Sequence, residues 1–343
     1  MHTLHNILII RLSSIGDIIL TTPLLRCVRN AFPDATITFV VKKQYAELLS
    51  SSPHIDHLIA FDHKKGFSEL KKLKIELRAE KFDLFIDIHK NLRSFYLRAG
   101  IGAKKVTSYG KKILNRSILI RFHRNLYKEI KPVYLRFFES VQSYHVKYDG
   151  LGTEIPVSED KSASVKKILH SSGYNGQDYL IAICPSATYL NKKWLPERFI
   201  EMAQHLVNEF SAFITVLGGR DDVSLCDEIA KQAGKNVCSF AGQFSLLESA
   251  ALLGMCKLVV ANDTGMLHLA ESQNVPVTGI YGPTVREFGY FPILSKSEVV
   301  ENTRLYCRPC TSRGLNHCPQ KHFRCMKEIR TEQVISAVRK IIS

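Results

Sequence analysis

The strongest constraint on this chain is the alternation of short, continuously apolar runs with longer segments of helical period. Runs 6–12, 36–41, 58–61 and 83–88 in the first half, and 179–184, 213–217, 237–240, 258–261 and 277–281 in the second, have strand length and little polar alternation. A strand without a polar face must be covered on both sides, and helices between successive strands provide that cover when the strands run parallel. The expected fold is α/β, with doubly wound parallel sheets.

At 343 residues the chain is long for one core and suits two domains. The stretch "YDGLGTEIPVSEDKS", residues 148–162, gathers Gly, Pro and charge and interrupts the alternation, so the linker is placed there. The expected boundaries are 1–155 and 156–328, followed by 329–343. In that last segment Val334, Val338 and Ile341 recur at helical spacing behind Thr331, which is read as an N-cap. No 18-residue apolar run occurs, and "MHTLHN" lacks the cationic region of a secretory signal; a cytoplasmic protein is expected. Five cysteines (Cys27, Cys184, Cys226, Cys238 and Cys256) lie singly in apolar surroundings and read as reduced, core-filling thiols.

The formal charge of +15 is concentrated in the first half. Between His89 and Arg136 there are 13 Lys and Arg against one acid, Glu129. Lys90, Arg93, Arg98, Lys111, Lys112, Arg121 and Arg124 therefore make a candidate surface for an anionic partner: nucleic acid, a membrane or an acidic substrate. Phe95, Tyr96, Tyr109, Phe122 and Tyr127 are interleaved with them; most are read as core, although such interleaving also suits base stacking.

Three strand-to-helix turns of the second half carry candidate chemistry. In "VVANDTGMLHLAESQNVPVTGIYGPT" a buried strand ends at Asn262 and Asp263, and a helix begins at about Thr264. Asp263 can be an ordinary N-cap. The same geometry also offers the first-turn amides of Thr264, Gly265 and Met266 to an anion, with His268 one turn further on as a phosphate donor. In "PSATYLNKKWLPERF" Ser186 and Thr188 supply hydroxyls, and Lys192 precedes the single tryptophan, Trp194. The turn "LGGRDD" supplies Asp221 or Asp222 as a candidate ribose acceptor. Together these turns indicate a pocket for a nucleoside diphosphate. In the first half, "RLSSIGDIILTTP" runs from strand into helix without the spacing of a phosphate loop, and Asp17 there is either a helix-start carboxylate or a catalytic acid. In the tail, Cys307, Cys310, Cys318 and Cys325 are spaced C-x2-C-x7-C-x6-C, a possible structural zinc set with free thiols or a labile disulfide as alternatives.

The segments "ILIIRLSSIGDIILTTPLLRCVRNAFPDATITFVV" and "KLVVANDTGMLHLAESQNVPVTGIYGPT", with the "KKW" loop and the "GG" turn in order, resemble glycosyltransferase family 9, the ADP-heptose:lipopolysaccharide heptosyltransferases. The resemblance runs from about Asn6 to the last helix. It implies a GT-B fold: two Rossmann-like domains facing a cleft, the first for the acceptor and the second for the donor, with the C-terminal helix crossing back to the first. It also implies an inverting transferase that needs no metal or other cofactor, which agrees with the lack of an Asp-x-Asp triplet. The family's base falls on Asp17, and its donor site on Ser186, Thr188, Lys192, Asp222, Asp263, Thr264, Gly265 and His268. The implied reaction moves heptose from ADP-heptose to the lipopolysaccharide inner core, a lipid A-Kdo or heptosyl acceptor. The basic segment would then bind the acceptor and the anionic inner face of the inner membrane, and no nucleic acid is expected. The competing readings are the same fold with another nucleotide sugar, and a non-enzymatic nucleotide or nucleic-acid binder.

Overall fold

A computed structural model describes residues 4–343 apart from Ser295. By contacts the chain divides into two units: Met1–Lys111 with Val133–Pro156, and Lys112–Pro132 with Val157–Ser343.

The first unit is built on five strands, β1 (Asn6–Ile10), β2 (Thr36–Lys42), β3 (His57–Phe61), β4 (Leu84–Asp87) and β5 (Lys105–Ser108). All pair in parallel, in the order β3-β2-β1-β4-β5. Central β1 has Ile7, Leu8, Ile9 and Ile10 fully buried, which is why its sequence shows no polar alternation. On one face Leu8 and Ile10 join Leu70, Leu73 and Leu77 of the helix Gly66–Ala79. Those leucines form a single stripe at helical spacing, and burying each contributes about 2 kcal/mol.

The second unit has six parallel strands, β6 (Leu180–Cys184), β7 (Phe213–Val216), β8 (Val237–Ser239), β9 (Leu258–Asn262), β10 (Val277–Tyr281) and β11 (Glu298–Glu301). Their order is β11-β10-β9-β6-β7-β8. Both sheets therefore follow the Rossmann order 3-2-1-4-5, the second adding a sixth strand. In each the strand order reverses next to the first strand, between β1 and β4 and between β6 and β9. Such sheets bind ligands at the carboxyl ends on either side of that reversal.

Nine of the strands lie where the apolar runs predict them. The other two, β5 and β11, are edge strands with half-exposed, partly charged sequences (KVTS and EVVE), so neither reads as a buried run. The helix Thr331–Ile342 forms as expected, but with two differences. Arg330 is the N-cap residue, and Thr331 is the first helical residue, donating from its hydroxyl to Glu201 at 2.5 Å. The helix was expected to return to the first domain; instead Val334, Ile335, Ala337 and Val338 complete the core of the second unit, packing with Ile181, Leu206 and Val260. Its amphipathic stripe fits the open face beside the helix Pro196–Phe210, and Arg339 anchors it there to Glu209 at 2.7 and 2.8 Å.

Residues 112–132, placed in the first half by sequence, group with the second unit. Asn125 donates there to Glu287 at 2.8 Å. Cys184, Cys226 and Cys256 are buried, and burial raises the Cys226 thiol to about 12, consistent with inert core filling.

Candidate active site

In the first unit, β1 and β4 deliver two polar segments to the reversal point. Past β1, the chain enters the short helix Ile15–Ile19, with Asp17 in its first turn. The Asp17 carboxylate is ion-paired with Arg11, and its Oδ2 accepts from the amide and the hydroxyl of Ser14, each at 3.1 Å. Arg11 is itself buried, donating to the carbonyls of Ser13 and Ile88. Burial pushes the Asp17 carboxyl up, but Arg11 and the Ser14 donors outweigh it and hold it at about 2. Asp17 is thus a helix-start acid and an ionised carboxylate at a switch point together, its Oδ1 engaged by Arg11 and its Oδ2 by Ser14.

Past β4, buried Asp87 accepts from the amides of His89 and Lys90 and from the Ser94 hydroxyl. These bonds turn the chain so that His89 is buried within electrostatic reach of Arg11 and Asp17. Burial and the Arg11 and Lys111 cations lower His89 to about 3, which makes it a neutral imidazole. Its Nε2 faces the Asn91 amide at 2.7 Å, whereas Nδ1 is buried without a partner. Neither Asp87 nor His89 was singled out from sequence. Their signal, an apolar run ending in "DIHKNLRS", is hidden inside the basic segment.

In the second unit, Asp263 does not cap the helix Gly265–Glu271. The N-cap is Thr264, and no side chain closes the cap. The Asp263 carboxylate instead takes the Lys192 ammonium at 2.7 Å and the Thr284 hydroxyl at 2.7 Å. Lys192, Asp263 and Thr284 thus join the carboxyl ends of β6, β9 and β10 in one cluster. Asn262, fully buried, fixes its position: its side chain donates to the Pro185 carbonyl at 2.6 Å and accepts from the Trp194 amide at 3.1 Å. The Trp194 indole donates to the Ile329 carbonyl at 3.0 Å. The lysine loop is therefore fastened at both ends rather than solvated. Asn262 and Thr284 were visible in sequence only as strand-end residues, because the partners that give them work lie about 70 and 20 positions away.

The remaining expected donor residues fall as follows. The Thr264 hydroxyl is buried without a hydrogen-bond partner. Gly265 opens the helix, and His268 is buried on its second turn. Ser186 and Asp222 are neighbours at the ends of β6 and β7. A Cβ on Gly218 would meet Asp222 Cβ at 2.8 Å and Ser186 Oγ at 3.2 Å, so glycine is what lets these two turns approach. Asp222 Oδ2 accepts from the Gly219 amide at 3.1 Å, tightening the "GG" turn. Thr188 is exposed on the loop.

The seven basic residues do not form one patch of one unit. Lys90, Arg93, Arg98 and Lys111 belong to the first unit, and Lys112, Arg121 and Arg124 to the second. Lys90 and Lys111 are tied back to the carbonyls of Tyr109 and Lys90 at 2.7 and 2.8 Å. Of the interleaved aromatics, Tyr109 is core, but Phe95 and Phe122 are exposed, beside Arg98 and Arg121 respectively. The structural zinc reading of Cys307, Cys310, Cys318 and Cys325 is not supported: among the described residues no three His, Cys, Asp or Glu side chains are grouped to hold a metal ion. All four are free thiols. The Cys segment has another task, since Asn191 of the lysine loop and Leu315 exchange hydrogen bonds at 2.8 and 3.1 Å.

Residues 70–320 match the family model of glycosyltransferase family 9 (heptosyltransferase). The chain belongs to this family. This glycosyltransferase is 26% identical over 278 residues to the lipopolysaccharide core heptosyltransferase OpsX of Haemophilus influenzae, covering 80% of this chain and 78% of that one. Among solved structures it is similar to a family 9 glycosyl transferase from Veillonella parvula, with 26% identity, a TM-score of 0.83 and coverage of 98% and 97%. It is also similar in fold to the ADP-heptose lps heptosyltransferase II of Escherichia coli, with 20% identity, a TM-score of 0.76 and 98% of each chain covered. The family enzyme is thus a glycosyltransferase of the GT-B fold, its two Rossmann-like sheets both carrying polar clusters at the strand reversal.

Proposed function

We propose that this glycosyltransferase moves heptose from ADP-heptose to a hydroxyl of the lipopolysaccharide inner core, with inversion and without a divalent cation. The observation that carries the reading is the Lys192–Asp263–Thr284 cluster at the ends of three parallel strands. It presents an ammonium, uncapped first-turn amides and the partnerless Thr264 hydroxyl beside the strand reversal, where a Rossmann sheet receives a diphosphate. When the anomeric bond breaks, negative charge grows on the departing ADP. Lys192 and those amides meet it, and Asp263 keeps the ammonium in place without covering it from all sides.

Asp17 acts as the base for the acceptor hydroxyl. A carboxylate held at about 2 is a weak base, so the proton leaves the acceptor oxygen late, after the bond to the anomeric carbon has begun to form. Its negative charge also stabilises the oxocarbenium character of the transition state. One displacement assisted by one base inverts the anomeric centre. ADP is the preferred nucleotide, with Asp222 accepting from ribose and Ser186 and Thr188 lining the approach.

The acceptor is presented at a membrane surface, and no helix among the described residues is long and apolar enough to cross one. Peripheral contact suits the exposed Leu92 and Phe95, with Arg98 beside the Phe95 ring, and the exposed Ile113, Leu114 and Phe122, with Arg121 beside the Phe122 ring. Cations draw the protein to anionic lipid, and the apolar side chains insert among the headgroups. The deciding experiment is transfer from ADP-heptose to heptose-deficient lipopolysaccharide core in the presence of EDTA. Stoichiometric ADP release with an inverted linkage is expected; transfer from a UDP- or GDP-hexose in preference would refute the donor assignment.

A further inference from the structure

Glu271 ends the helix that begins at the donor site, and it is almost completely buried, at 2% exposure. Its Oε1 accepts from the amides of Ile293 and Leu294 at 2.6 and 2.9 Å and lies 3.3 Å from the Ser297 hydroxyl. That grip fixes the carboxylate plane. Oε2 is buried with no hydrogen-bond partner, and so is Nδ1 of His268, one turn earlier. The two orphaned atoms face each other at 3.6 Å, slightly beyond hydrogen-bond length. A buried carboxylate oxygen and a buried imidazole nitrogen left unpaired are each costly, so their mutual placement calls for a purpose.

We propose that Glu271 is a positioning residue for the donor diphosphate: it orients His268 and keeps its ring positively charged when the diphosphate binds. The inference rests on the reading of His268 as a phosphate donor. A neutral imidazole carries one N–H. With Nδ1–H directed at Glu271, Nε2 can donate to phosphate only if the ring holds a second proton, which it takes from solvent as the donor binds. The ring then lies between two anions, and the site gains a cation besides Lys192 as the leaving group departs. The other titratable groups near the pair do not supply that proton. Burial holds Tyr281 of β10, which is coupled electrostatically to Glu271, well above its ordinary range and protonated, and Asp263 is engaged by Lys192.

The test is titration calorimetry of ADP at pH 8, where ADP is fully deprotonated, in two buffers of different ionisation enthalpy, with adenosine binding as the control for folding. Wild type, His268→Gln, Glu271→Gln and the double variant are compared. The expected result is net proton uptake approaching one per ADP in wild type, lost in both single variants. ADP affinity should fall about tenfold in each, as expected for one charge-assisted contact, adenosine affinity should hold, and the double variant should be no weaker than His268→Gln. If His268→Gln binds ADP as wild type does, the reading of His268 fails and the proposal with it. If His268→Gln weakens ADP but Glu271→Gln retains affinity and proton uptake, or the two losses multiply, Glu271 only anchors the loop at Ile293 and Leu294 and the proposal alone is overturned. Should Glu271→Gln not bind adenosine, the absence of proton uptake in wild type, or its persistence in His268→Gln, overturns the proposal just as well.

Discussion

Arg11 makes Asp17 dependable as a charge and poor as a base. The carboxyl titrates at about 2 against an ordinary 3.8, so Asp17 adds stability that is fully present above the ordinary value and is lost as pH falls through about 2. As the proposed base, Asp17 is therefore expected to leave kcat/KM flat through the ordinary carboxylate range, which a pH–rate profile checks. Replacing the arginine by an isosteric apolar residue, Arg11→Met, leaves a buried carboxylate uncompensated. It should cost about 3–5 kcal/mol in denaturant unfolding at neutral pH and bring the Asp17 titration up into the pH–rate profile. Unchanged stability would mean that the pair is not sequestered from water. His89 is the companion case, a neutral ring among charges, and its burial was illegible because a histidine inside a run of lysines and arginines looks like one more cation. The helix-start position of Asp17, in contrast, was legible, because a strand running straight into a helix through "SSIGD" leaves an acid few other places to be.

The elements explain which parts of the site could be read. Strands buried on both faces announce themselves by composition, so β1, β6, β9 and β10, which carry the clusters, were all visible; edge strands β5 and β11 were not. The turns after those strands were legible as turns, but their fastenings were not, because Asn262 reaches Pro185 and Trp194 across 77 and 68 residues. Removing that amide, Asn262→Leu, strands a buried carbonyl and a buried N–H, each costing about 1–3 kcal/mol. A melting temperature lower by several degrees and weaker ADP binding are expected together; a loss of stability alone would separate Asn262 from the donor loop. The last helix shows a different limit. Its amphipathic stripe is plain in sequence, but a stripe does not name the surface it will cover. With Ile335 in the second core, Ile335→Ala should destabilise that unit by about 2–5 kcal/mol in thermal unfolding, and no measurable change would put the helix elsewhere.

For the whole molecule, two sheets of the same strand order each carry a polar cluster at the reversal, and the proposed transfer assigns the acceptor base to the first and the donor grip to the second. The composition could not show that division, since the charge count spreads one basic segment over both units. The proposed nucleotide preference belongs to the second unit: at a concentration a hundred times the Kd of ADP, ADP should stabilise the protein by about 2.7 kcal/mol, and UDP or GDP at the same concentration by less. A larger stabilisation by UDP would argue for another donor. The most direct test of the central claim is single-turnover transfer by Asp17→Asn at saturating ADP-heptose and core acceptor, with ADP affinity measured in parallel. The rate is predicted to fall by about 10²–10⁴, the range for losing a positioned general base, with ADP binding unchanged. A variant that transfers sugar at close to the wild-type rate would contradict it.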